Sequence, residues 1–145
     1  MIVSLTRLRV RAWRYMPGFI WYTYQSKRQL VRSPGFVVGL LASAPSRTFW
    51  TTTAWIDEAA MKRYRDSDWH KRAMPKLLDW CDEASVARCT QDTSELPSAA
   101  GMLDTMKAAG RTSKVRHPSP GHAAGQTVPD GFAPRPGLPI RPKTL

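Results

Sequence analysis

Hydrophobic and polar positions alternate with a period of two along residues 2–11. Ser4, Thr6, Leu8 and Val10 point one way, and Val3, Leu5, Arg7, Arg9 and Arg11 the other, which predicts a strand. From residue 14 the period changes. Gln25, Arg28, Gln29 and Arg32 share one helical face, with Phe19, Ile20, Thr23, Leu30 and Val31 roughly opposite, so residues 14–32 read as a helix. Pro17 suits its first turn, and Ser33-Pro34-Gly35 stops it. Residues 36–43 are a near-continuous apolar run, the pattern of a strand buried on both faces. A turn at Ala44-Pro45-Ser46 leads into a second strand, 47–56, and the two read as a hairpin. In that strand Phe49, Thr51, Thr53 and Trp55 share one face, and Trp50, Thr52, Ala54 and Ile56 the other. Asp57 is a good N-cap for a helix in which Met61 and Tyr64 keep helical spacing. Asp66-Ser67-Asp68 breaks it, and a further helix follows over 69–84, where Ala73, Leu77 and Trp80 or Cys81 recur. Pro75 marks either a kink or a later start near Met74. A short strand at 86–91 completes the pattern.

The order β-α-β-β-α-β predicts a ferredoxin-like α+β fold: a four-stranded antiparallel sheet with two helices on one face. The second and third strands are apolar or aromatic on both faces, so the helix-free face needs a cover. A second copy of the chain is the expected cover, which makes a homodimer the expectation.

Composition divides the chain at about residue 93. Eight of the twelve prolines and six of the nine glycines lie beyond it, and Phe132 is the only aromatic residue there. Such a stretch has little apolar surface to set against chain entropy. The expectation is a folded domain over 1–93 and a basic, mostly disordered tail over 94–145, with one short helix near Ala99–Ala109.

Charge changes the picture less. The chain carries +11, and no Asp or Glu precedes Asp57. Nucleic acid or an anionic membrane is therefore a possible partner, although a solvated basic surface explains the same balance. Cys81 and Cys89 form neither a CxxC pair nor a metal set, and two free thiols fit a reducing, cytoplasmic location. The uncharged runs 15–26 and 33–46 fall short of the ~20 apolar residues that span a bilayer. Phosphate-loop, nucleophile-elbow and zinc-protease motifs are absent from the sequence.

What remains is one histidine inside the first 93 residues, His70, set among aromatics. It reads as an axial haem ligand, as a general acid or base in an apolar pocket, or as a helix-start histidine bonded to a carboxylate such as Asp66. Trp50, Trp55, Trp69 and Tyr64 would wall an apolar cavity, and Thr51 and Thr53 would place hydroxyls in it. Core packing explains each of them singly. Arg7, Arg9 and Arg11 on one strand face would meet an anionic group if that face lines a barrel, or guard a sheet edge if it does not.

The F-W-T-x-T-x-W strand (Phe49, Trp50, Thr51, Thr53, Trp55), the D-E-x-A-M that follows (Asp57, Glu58, Ala60, Met61) and Ser67-Asp68-Trp69-His70 resemble the dimeric α/β-barrel superfamily. Within it, they are most similar to antibiotic-biosynthesis-monooxygenase-like and spheroidene-monooxygenase-like domains. The resemblance spans about residues 2–92 and implies a pocket between sheet and helices. It also implies oxidation of a hydrophobic small molecule, without a cofactor or with haem. Two alternatives stand beside that reading. One is a non-enzymatic module that holds haem or a lipophilic ligand; the other is a basic nucleic-acid- or membrane-associated protein.

Overall fold

A computed structural model describes residues 1–143. Strand β1 (Ile2–Val10) leads through one 3-10 turn (Trp13–Tyr15) into helix α1 (Met16–Leu30). Strands β2 (Phe36–Ala44) and β3 (Thr48–Trp55) form the expected hairpin. Helices α2 (Glu58–Arg65) and α3 (Asp68–Trp80) follow, and β4 (Cys81–Thr90) closes the expected unit. Asp57 caps α2 as its sequence position requires: its carboxylate accepts from the Ala60 amide at 2.8 Å. Helix α3 begins at Asp68 and runs through Pro75.

The sheet is antiparallel throughout, and β1 lies between β4 and β3. The four expected strands stand in the order β4-β1-β3-β2, with α1, α2 and α3 on one face. Two expectations need correction. The first concerns strand number: the sheet has six strands, because short strands β5 (Arg111–Thr112) and β6 (Leu138–Ile140) pair with the outer edges of β4 and β2. Both edges that the four-stranded unit would leave open are thereby paired.

The second correction concerns the C-terminal segment, expected as a disordered tail. It packs onto the body. Helix α4 (Ala99–Ala109) buries Met102 and Met106 against Val3, Leu5, Ala42, Trp50, Ala54 and Ala87, and Val128 joins the same cluster. A one-turn helix, α5 (Pro120–Ala123), sits near β4. The face expected to meet a second copy is therefore covered by residues of the same chain. The physical reason is local: few apolar residues are available after 93, but Met102, Met106 and Val128 converge on one apolar sheet face, where their burial offsets part of the cost of ordering the segment.

The start of β4 also differs from expectation. Asp82 and Glu83 lie on that strand and not at the end of a helix, because register with β1 sets Glu83 opposite Arg9. No helix among the described residues is long and apolar enough to cross a membrane.

Candidate small-molecule site

A cavity of about 410 Å³ lies between the sheet and the three helices. Its floor is one face of two strands: Ser4, Thr6 and Leu8 of β1, and Phe49, Thr51, Thr53 and Trp55 of β3. This is the set that period-two alternation assigned to common faces. Phe19, Tyr22 and Thr23 of α1, Met61 and Tyr64 of α2, and His70, Ala73 and Leu77 of α3 supply the walls. The two sheet faces are packed differently. Val3, Leu5, Trp50, Thr52 and Ala54, under the C-terminal segment, are buried, whereas Ser4, Thr6, Leu8, Phe49 and Thr51 are only half-buried because they open on the cavity.

His70 is held from two sides. Its backbone amide donates to Oε1 of Gln29 at 2.9 Å, and its Nδ1 lies 3.0 Å from the Arg65 carbonyl oxygen. A carbonyl oxygen only accepts, so Nδ1 carries the proton and Nε2 is the unprotonated nitrogen of a neutral ring. Burial holds the His70 pKa below its ordinary 6.5, although the Arg65 carbonyl bond opposes that shift. The partner is this carbonyl and not Asp66, whose carboxylate is taken by the Arg65 guanidinium. The Tyr64 ring lies 4.8 Å from the imidazole, centroid to centroid, and its hydroxyl donates to the Ser26 carbonyl at 3.2 Å. Burial pushes the Tyr64 phenol pKa up, so this hydroxyl stays protonated. Fully buried Trp55 tilts against Tyr64 and donates from Nε1 to Thr53 Oγ1 at 2.9 Å. That bond uses the hydroxyl oxygen as acceptor and leaves its O–H free to donate toward the cavity.

Of the residues expected at the site, His70, Tyr64, Thr51, Thr53 and Trp55 line the cavity, and the other five do not. Trp50 lies on the opposite sheet face, 1% exposed, in the cluster with Met102 and Met106. Trp69 sits on the outer side of α3, edge-on to Trp21 and Tyr22 and with the Arg72 guanidinium 4.9 Å from its ring centre. Arg7, Arg9 and Arg11 meet the chain's own acids and not a ligand. Arg7 is 0% exposed and bonded to Glu83 at 2.8 Å. Arg9 grips Asp82 in two bonds of 2.9 and 2.6 Å, and Arg11 donates to the Asp79 carbonyl at 2.6 Å. β1 is a central strand, so the edge reading of these arginines also fails.

Sequence reasoning missed the part of the wall that comes from beyond residue 93. Arg111, Ser113, Lys114, Val115 and Ile140 line the cavity. With Lys27, Arg65 and Arg88 they place five cations around an apolar interior that no carboxylate lines. Arg65 and Arg88 are paired with Asp66 and Glu58, while Lys27, Arg111 and Lys114 form no ion pair among the described residues.

Comparison with solved structures identifies the architecture. An antibiotic biosynthesis monooxygenase is matched with a TM-score of 0.57 at 11% identity, over 64% of this chain and 100% of that one. SnoaB, a cofactor-independent oxygenase from Streptomyces nogalater, is matched with a TM-score of 0.53 at 17% identity, over 67% of this chain and 97% of that one. The chain has the antibiotic-biosynthesis-monooxygenase fold. A protein of unknown function from Nitrosomonas europaea shares it, with a TM-score of 0.54 at 12% identity, over 67% of this chain and 94% of that one. About a third of this chain therefore has no counterpart in neighbours that are themselves almost wholly covered. The matched share is the length of the β1–β4 unit. No protein-family model matches the chain, and no curated protein matches its sequence.

Proposed function

We propose that the chain is a monooxygenase-like protein that takes a hydrophobic small molecule into the cavity and removes a proton from it with Nε2 of His70. The observation that carries this reading is a neutral imidazole, fixed by the Arg65 carbonyl, in the wall of a mainly apolar chamber with hydroxyls and cations in its lining. The apolar lining favours desolvated substrate over water. His70 Nε2 accepts a proton from an acidic O–H or C–H, and the Arg65 carbonyl stabilises the imidazolium that results. Where the proton comes from a C–H of a CH2 group, the carbanion bonds to dioxygen, the peroxide takes the proton back from His70, and loss of water leaves a carbonyl, so the substrate supplies all four electrons that reduce dioxygen. The Thr53 hydroxyl and the cationic rim supply donors for the negative charge that develops on substrate oxygen. SnoaB, with the same fold, is a cofactor-independent oxygenase, which supports this ordering of readings.

The test is oxygen consumption with a tricyclic aromatic phenol, wild type beside His70→Ala. The variant is expected to lose about 10²–10⁴-fold in kcat/KM with its thermal midpoint retained. An unchanged rate would remove His70 from the chemistry. The pH profile carries a second expectation. The neutral ring is the working form and its pKa is lowered, so kcat/KM stays level through neutrality. It falls only as pH drops through a value below the ordinary 6.5. The same shift makes the folded state lose stability on that acid side, because the unfolded chain takes up the proton first.

A second reading rests on the same bond. A histidine that donates from Nδ1 to a carbonyl and keeps Nε2 free has the outer partner that metal-ligating histidines have. Were haem bound, His70 would hold its iron and Lys27, Arg111 and Lys114 would be available to its carboxylates, and haem would supply oxygen activation or storage. Titration with haemin separates the two readings. A Soret band lost in His70→Ala favours haem, and no specific band in either protein favours the cofactor-free pocket.

A further inference from the structure

A second concavity, of about 530 Å³, lies on the outer side of the helices between α1 and the α2–α3 junction. Four arginines line it: Arg28 from α1, Arg32 from the turn that follows it, Arg63 from α2 and Arg72 from α3. None of the four forms an ion pair among the described residues, and the single carboxylate in the lining is Asp68. Arg65, Arg88, Arg9 and Arg11 have acidic partners, while Arg14, Arg47, Arg111, Arg116, Arg135 and Arg141 form no ion pair among the described residues, so what sets the four apart is their convergence on one hollow. Here like charges from three helices border one hollow.

The two glutamines in the wall differ in how they are bonded. Gln29 is fully used: its Nε2 donates to the Tyr64 and Ser67 carbonyls at 3.0 Å each, and its Oε1 accepts from the His70 amide. It ties α1 to the α2–α3 junction. Gln25, one turn earlier, is only 7% exposed and enters none of the side-chain hydrogen bonds of the described residues. Its amide oxygen and nitrogen keep contact with the hollow and are open to bond whatever enters it. At one margin Trp69 offers an aromatic face and holds the Arg72 guanidinium over its ring.

We propose that this cleft binds a diphosphate group, either inorganic or carried on a nucleoside. Arginine forks match phosphate oxygens in pairs. A single phosphate brings about −1.5 to −2 charges, short of the +3 left when Asp68 is set against four guanidiniums. Two linked phosphates meet that excess and reach both walls at once. Gln25 donates its amide to a bridging or terminal oxygen. The cleft opens on the other side of the helices from the His70 cavity, and Tyr64 is shared between the two walls.

The experiment is calorimetric titration of the full chain with inorganic pyrophosphate, with orthophosphate, ADP and a single-stranded oligonucleotide in parallel. Pyrophosphate is expected to bind at one site, at least about tenfold more tightly than orthophosphate. Arg28→Gln with Arg72→Gln, both at exposed positions, is expected to weaken it by at least about tenfold. Gln25→Leu is expected to weaken it without any change of charge. Lys107→Gln with Arg135→Gln, remote from the cleft but equal in charge, is expected to leave it unchanged. A gain for ADP over pyrophosphate that Trp69→Ala removes marks a nucleotide as the source, and no gain marks free diphosphate; both support the cleft. Three results overturn it: no pyrophosphate binding, equal weakening by the remote pair, or oligonucleotide binding that pyrophosphate does not displace.

Discussion

Removing residues 94–145 is expected to convert the chain into a self-associating species. The truncation strips Met102, Met106 and Val128 from one sheet face and uncovers Val3, Leu5, Ala42, Trp50, Ala54 and Ala87 as one apolar patch. Burying each methionine contributes about 1.5–3 kcal/mol, and the patch left behind is of the kind that pairs with another surface. The truncation also removes β5 and β6, so the outer edges of β4 and β2 become free to pair. Light scattering on size-fractionated protein should show a larger mass for the truncated chain than for the full one, with the difference growing with concentration. A full-length variant with Met106→Asp checks the same point without deletion. It places an unpaired carboxylate in the cluster and should lower the thermal midpoint sharply. If truncation changes neither mass nor midpoint, the segment does not cover the sheet. The cavity should respond too, since Arg111, Lys114, Val115 and Ile140 leave its wall.

The sequence made the site more legible than the cover. Alternation along β1 and β3 is a local property, and it assigned Phe49, Thr51, Thr53 and Trp55 to one face without knowledge of the partner strands. The same alternation put Trp50 on the other face. Grouping Trp50 with the cavity walls followed from treating the tryptophans as a set and not from their spacing. Trp69 precedes His70 by one residue, which on a helix is a rotation of about 100°, enough to carry it from the cavity side to the cleft side. Nothing local forbids Asp82 and Glu83 from ending a helix; bonds to Arg7 and Arg9, more than seventy residues away in sequence, place them on a strand instead. The C-terminal segment was hardest. Its composition, averaged over fifty residues, resembles that of a disordered chain. Met102, Met106, Val128 and Ile140 gain order only because a sheet is already there to receive them.

Replacing Glu83 with alanine is expected to be the most destabilising single change in the chain. Arg7 and Glu83 are both buried beneath the C-terminal segment, with a bond of 2.8 Å between Nη1 and Oε1. Oε2 of Glu83 accepts from the Ser119 hydroxyl at 2.8 Å and lies 3.2 Å from Nη2 of Arg9. Asp130 approaches Nη2 of Arg7 at 3.3 Å but out of line for a hydrogen bond, and Nε of Arg7 has no partner. The guanidinium is thus already under-bonded, and Glu83 is its one aligned acceptor. Without it a buried cation faces only Asp130, at a cost of about 3–5 kcal/mol, or roughly 10 °C in thermal midpoint for a chain of this size. The converse sets this apart from ordinary loss of packing. Arg7→Met combined with Glu83→Leu removes both charges together and should cost much less than Glu83→Ala, because no unpaired ion remains. Ser119 and Asp130 belong to the C-terminal segment, so the pair also fastens that segment to the sheet. Hydrogen exchange should then show α4 opening more often in Glu83→Ala than β1 or β3 does. Equal protection across all three would mean that the methionines alone hold the segment and that the ion pair only occupies the space beneath it.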